Sequence, residues 1–232
     1  IADRYRIPVF LLMDEVVAHM TERVVIPTAD RILRENRKRP DHAPGDVRHL
    51  PYATGDDRVP AMAHAGDGYR VHMTGLTHDE RGYPGMNPQT QEWNIARIIN
   101  KIRAHRDEII AVEEQNLDDA EVVVVSYGIS ARTSLWPIEL AREEGIRVGY
   151  LRLVTVWPFP EERIRQLAKD IRAFVVPEIN MGQIIHEVER CAAGQAQVLG
   201  ANRAGGDILE PHQVLNVIRQ AAGRPVPGAE EA

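Results

Sequence analysis

The chain has 232 residues, of which 44% are hydrophobic, and a formal net charge of −6; that is enough apolar material for one large domain, or for a domain plus pieces of another. The negative balance argues against a general nucleic-acid binder, which gathers Lys and Arg against phosphate, and neither an apolar run near the ~20 residues that span a bilayer nor a secretory leader is present, so a cytoplasmic protein with no membrane contact is expected. The single cysteine, Cys191, can form no internal disulfide and cannot hold an iron–sulfur cluster, which needs about four thiolates.

Ile7 to Met13 (IPVFLLM) is predicted to be a strand, and Asp14 to His19 the helix after it. The chain opens on Ile1 and reaches this strand at once, so residues 1–27 are read as the end of a domain whose beginning lies upstream. Asp14 and His19 stand at the carboxyl end of the strand, where open α/β sheets place their ligands, although Asp14 is also a good helix cap. From 28 to 88 apolar periodicity disappears and Pro and Gly become frequent, which predicts an extended connector, laid across a surface by Tyr52, Tyr69, Met73 and Leu76. Its basic run, Arg31 to Arg39, reads as a solvated face. His64, His72, His78, Asp79 and Glu80 have metal-ligating chemistry, but no His pair at i, i+4 and no Cys pair accompanies them, so they are read as turn-forming residues and no metal site is expected. His78 and Asp79 stay candidates for a cleft or an interface.

Asn87-Pro88 is a helix start, and apolar residues at 95, 98, 102, 109 and 112 predict a linking helix over 89–117. Residues 118–223 then repeat strand, loop and helix. Val122 to Val125 (VVVV) lacks polar alternation, as does a strand buried on both faces. Ser130 or Ser134 is expected to cap the next helix, with Pro137 setting its regular start near Leu135. Strands are predicted at 147–154, at 173–176 (cut by Pro177) and, more weakly, at 197–200. Helices are predicted to start at Pro160, at Asn180 as cap, and at Pro211, the last ending at Gly223 before a tail, 224–232. The fold class is α/β, a small parallel sheet with helices on both faces. Arg132, Asn180 and Gln183 fall at the carboxyl ends of its strands and are read as cleft or interface residues. Gly128-Ile129-Ser130-Ala131-Arg132 nearly matches the G-x-S-x-G elbow of Ser hydrolases but has Arg132 in place of the closing Gly. No dinucleotide fingerprint and no Walker loop occurs.

The strings PVFLLMDEVVAHM, GYRVHMTGLTHDERGYP, YGISAR, AREEGIRVGYLRLVTVWPFPEERI and VVPEINMGQIIHEVER, in this order, resemble the α subunit of 2-oxoacid:ferredoxin oxidoreductases, nearest those acting on 2-oxoglutarate. The resemblance implies that residues 1–27 end a domain that receives the pyrimidine of thiamine diphosphate, and that 118–223 form a transketolase C-terminal-like domain. It implies an enzyme that decarboxylates 2-oxoglutarate oxidatively to succinyl-CoA with reduction of ferredoxin, and runs in reverse. Thiamine diphosphate with magnesium and a [4Fe-4S] cluster would belong to the complete enzyme and not be held by this chain alone. The implied partners are a β subunit, ferredoxin and coenzyme A, in a dimer of αβ units. No catalytic, cofactor-binding or metal-binding residue is assigned to this chain. Two alternatives from other classes are a stand-alone α/β interaction module without catalysis and a Ser hydrolase around Ser130.

Overall fold

A computed structural model describes residues 1–45 and 48–227; positions 46 and 47 of the expected connector and 228–232 of the expected tail lie outside the described residues. Short helices α1 (Ala2–Tyr5) and α2 (Glu15–His19) come first, and α3 (Pro88–Ala104) and α4 (Arg106–Ile109) come after a long stretch whose described residues form no helix or strand apart from one 3₁₀ turn at Ala29–Arg31. The chain divides into two compact units, Ile1–Leu12 with Glu22–Ile109, and Met13–Thr21 with Ile110–Ala232.

In the first unit Asn87 accepts a hydrogen bond from the Thr90 amide at 2.9 Å and Pro88 takes the first helical position, so α3 starts where expected. The apolar core here is small: Tyr5, Val59 and Ile109, with Ile7 and Ile102 packed against them. Polar contacts tie the connector down instead. Arg6 donates to the carbonyls of Pro51 (2.5 Å) and Ala61 (3.2 Å), and Lys101, buried on α3, donates to the carbonyl of Arg6 at 2.9 Å. Burial, with Arg97 and Arg6 adding their charges, pulls the Lys101 ammonium down to about 8. His78 stacks on Tyr52 with ring centroids 3.8 Å apart, and His72 on Tyr83 at 4.2 Å.

Two expectations fail in this unit. The strand expected at 7–13 does not form: Val9 to Leu12 carry no regular secondary structure and are 51–90% exposed, because a segment becomes a strand only when a neighbour bonds its amides and carbonyls, and none of the described residues does. The linking helix also stops early, with α3 ending at Ala104 and α4 at Ile109.

After α4 the chain forms β1 (Val112–Gln115), then β2 (Val122–Ser126), α5 (Gly128–Thr133), α6 (Leu135–Glu143), β3 (Val148–Leu153), α7 (Glu161–Leu167), β4 (Ala173–Glu178), α8 (Ile184–Ala192), β5 (Gln197–Asn202) and α9 (Pro211–Ala221). The strand order is β1-β3-β2-β4-β5, with β1 antiparallel and the other four parallel. Strand β1 overrides the helical spacing read from Ile109 and Val112: it bonds along β3 from Val112↔Leu153 to Gln115↔Tyr150, and its Glu113 and Glu114 pair with Arg152 (3.0 Å) and Arg163 (2.7 Å). Charged side chains suit an edge strand, which must not invite further pairing.

The four valines are each 0% exposed. Val122 and Val124 pack with Ile138, Ile146, Val214 and Ile218 on one face, while Val123 and Val125 pack with Leu151, Ile164, Phe174 and Val188 on the other. Helices α6 and α9 cover the first face and α7 and α8 the second, which is the doubly covered sheet that the run predicts. Pro177 does not cut β4. Its ladder to β2 has ended at Val124↔Val175, and Pro177 continues only against β5, opposite Ala201, where its missing N–H is tolerated.

Candidate functional site

The carboxyl ends of the central strands β2 and β4 carry a connected polar network. Strand β4 ends in Glu178, which is 0% exposed. Its carboxylate accepts the amides of Gln183 (3.0 Å), Ile184 (3.0 Å) and Ile185 (3.1 Å), the first free N–H groups of α8. The Tyr127 hydroxyl, just past β2, donates to it at 2.9 Å, and the Asn180 amide donates to both Glu178 and Tyr127 at 3.2 Å. Burial pushes the Glu178 carboxyl up, but the three amides and Tyr127 outweigh it and hold it below the usual range. The Tyr127 phenol is pushed up to about 12, by burial first and then by the charge of Glu178.

Asn180 was expected to cap this helix and does not. Its Oδ1 accepts the Gly182 amide at 2.7 Å within the turn, and the helix end is satisfied by Glu178 from the strand below. Gln183 contributes its backbone N–H, and its side chain makes no capping bond. Nor does Asp14 cap α2: its Oδ2 accepts the Ile129 amide at 2.7 Å, at the start of α5. Gly128 makes that approach possible, since it sits at φ +55° and a Cβ there would come within 2.3 Å of the Asp14 carboxylate. The expected serine caps are also absent; the Ser134 hydroxyl donates to the Ser130 carbonyl at 2.6 Å.

Two carboxylates of the chain itself thus fill the starts of α5 and α8, the positions at which an open α/β sheet would receive an anion. A carboxylate held ionised by five donors is a poor general base, and a phenol at about 12 is a poor acid near neutrality. At both helix starts the free amides are already bonded by the chain's own carboxylates, which makes this edge a structural lock. Ser130 is 3% exposed inside regular α5, whereas an elbow needs its Ser exposed on the strained turn, here occupied by Gly128. Cys191 is buried and its thiol is pushed up by burial, so it is an unreactive core residue.

Of the other candidates, Arg132 is exposed on the last turn of α5, and His19 is exposed beside Glu15. His78 and Asp79 belong to the first unit. There Asp79 accepts the Arg81 and Tyr83 amides and the Arg81 side chain, and closes a turn, as expected of these residue types. Glu178 and Tyr127, the centre of the network, were not among the residues singled out from the sequence; an acid closing a buried strand, six residues before a helix, was the available signal. Around the edge, Trp157 and Met181 are 70% and 83% exposed.

Residues 1–97 match the family model described as pyruvate flavodoxin/ferredoxin oxidoreductase, thiamine diphosphate-binding, and residues 120–214 match pyruvate:ferredoxin oxidoreductase core domain II. The chain is 44% identical over 219 residues to 2-oxoglutarate synthase subunit KorA of Methanothermobacter marburgensis, covering 94% of this chain and 57% of that one. The same subunit of Methanocaldococcus jannaschii is 46% identical over 218 residues, with coverage of 94% and 57%. Ketoisovalerate oxidoreductase subunit VorB of Methanothermobacter thermautotrophicus is 35% identical over 224 residues, with coverage of 96% and 55%. The chain therefore spans a little over half the length of these relatives. The fold is that of 2-oxoglutarate:ferredoxin oxidoreductase from Magnetococcus marinus, at a TM-score of 0.72 and 21% identity over 84% of this chain and 34% of that one. Among the described residues, no helix is long and apolar enough to cross a membrane.

Proposed function

This chain belongs to the 2-oxoacid:ferredoxin oxidoreductase family, and from that premise we propose that it is part of the α subunit of a thiamine diphosphate-dependent 2-oxoglutarate:ferredoxin oxidoreductase. The reaction joins 2-oxoglutarate and coenzyme A to give succinyl-CoA and CO₂ while two electrons pass to ferredoxin, and it also runs in reverse. The observation that supports the choice of substrate is that the relatives at 44% and 46% identity are named for 2-oxoglutarate, whereas relatives at 35% and 30% are named for ketoisovalerate and for 2-oxoglutarate respectively.

The role of this chain is structural and interdomain. Its sheet edge is closed by its own Asp14 and Glu178, which supports a packing surface more than a reaction centre. We assign 1–27 to the end of the pyrimidine-binding domain, 28–88 to the connector, 89–117 to the link and 118–223 to the transketolase C-terminal-like domain, in a cytoplasmic complex with a β subunit as a dimer of αβ units. The test is ferredoxin reduction by the assembled complex, monitored with coenzyme A and each of 2-oxoglutarate, 2-oxoisovalerate and pyruvate. The expected result is the highest kcat/KM with 2-oxoglutarate, and a preference for another acid would replace the substrate named here.

A further inference from the structure

Helix α3 is amphipathic, yet it lies with a polar side inward. Ile95, Ile98, Ile99 and Ile102 recur along it at spacings of three and four and make one apolar stripe. Ile102 packs on the small core, whereas Ile95, Ile98 and Ile99 are 47%, 44% and 41% exposed. Asn94 and Lys101 are the side chains that go inside, at 6% and 4% exposed. The chain beneath the helix explains this orientation, because it presents backbone carbonyls, which need donors. The Asn94 amide donates to the His78 carbonyl at 3.0 Å, Lys101 donates to the Arg6 carbonyl, and the Arg97 guanidinium lies over the Tyr52 ring at 5.3 Å. Turning the stripe inward would break these contacts, so the helix keeps three isoleucines in water until another surface packs on them. Beside the stripe, Glu92 and Arg103 are exposed and form no ion pair among the described residues. They are about three turns apart, which places both on one flank of the helix.

We propose that the stripe of Ile95, Ile98 and Ile99 is a contact with a second copy of this chain, whose α3 packs on it antiparallel about a two-fold axis near Ile98. The charges select this arrangement. Reversal brings Glu92 of each copy beside Arg103 of the other, two pairs in one contact, whereas in a parallel pair the two groups stay about three turns apart. The same reversal sets Ile95 of one copy against Ile99 of the other and Ile98 against its own equivalent, the self-complementary pattern that a two-fold contact requires. The inference deepens the dimer of αβ units proposed above and rests on that reading.

Light scattering of the assembled complex over a concentration series tests it. Ile98→Glu is expected to weaken dimerisation tenfold or more with an unchanged circular dichroism spectrum, since the position is exposed. Arg103→Glu should weaken it severalfold, and the Glu92→Arg/Arg103→Glu double variant should restore it, a rescue that a merely local effect on the helix would not give. Ile98→Cys should cross-link to its equivalent on oxidation, because the native Cys191 is buried. A dimer of parental strength in Ile98→Glu overturns this surface and leaves the dimer reading intact, whereas a parent complex that remains a single αβ unit at every concentration overturns both. A thiol in Ile98→Cys that neither cross-links nor reacts with a soluble reagent shows that another segment or subunit covers the stripe, and overturns the second copy as its occupant.

Discussion

Glu178 illustrates how one side chain can decide what a sheet edge is for. A carboxylate buried beneath the first turn of α8 satisfies three amides that would otherwise bind an external anion, and it complements the positive end of the helix. Removing its charge leaves those amides with a weaker acceptor, so Glu178→Gln should lower stability by about 2 kcal/mol or more. The pH dependence gives the sharper reading. The folded carboxyl lies below its ordinary value, so its contribution is complete above the unfolded value of about 4.3 and is lost as pH falls through that range toward the folded value. Chemical unfolding of both proteins should therefore show a gap that is wide at pH ~6 and narrows below pH ~4; a gap independent of pH would mean that the charge does not carry the effect.

At the scale of elements, the strand-to-helix turn at Gly128 is the junction by which residues 13–21 attach to the sheet unit. It needs a left-handed backbone and has no room for a Cβ beside Asp14. Gly128→Ala should cost about 1–3 kcal/mol locally and break the bond from the Ile129 amide to Asp14. Hydrogen exchange at Ile129 is expected to accelerate in Gly128→Ala and equally in Asp14→Ala, while exchange in β2 stays slow. Faster exchange throughout β2 would show that the turn supports the whole sheet. Strand β1 makes the complementary point, since VEEQ has no strand signature of its own and is drawn into the sheet by the free edge of β3 and by two arginines.

For the whole molecule, the proposed role of shaping and joining makes predictions about both the assembled enzyme and the isolated chain. Isolated, it should not bind thiamine diphosphate with magnesium; calorimetric binding at micromolar affinity would return the cofactor to these residues. Trp157 and Met181 stand exposed around an otherwise satisfied edge, and large exposed aromatics are frequent anchors of interfaces. In the assembled enzyme Trp157→Ala is expected to weaken assembly by about 2 kcal/mol, with a smaller effect for Arg132→Ala, an exposed charge. In both, kcat of the assembled fraction should stay within several-fold; a thousandfold loss of kcat with assembly intact would move the chemistry into this domain.

The order of parallel strands and covering helices was legible because its signals are local: four valines without a polar break, Asn87-Pro88 and Pro211 at helix starts, and turns rich in Gly. Family membership was legible for the same reason, as an ordered set of short strings. Only the tertiary structure decided what depends on partners distant in sequence. Asp14 leaves its own helix to bind an amide 115 positions away, Glu178 takes the cap that spacing assigned to Asn180, VEEQ becomes a strand, and IPVFLLM, with the better strand composition, does not. The physical reason is common to all four: hydrogen-bonding groups and apolar faces are satisfied by whatever the fold brings alongside, and the sequence around a residue does not state what that will be.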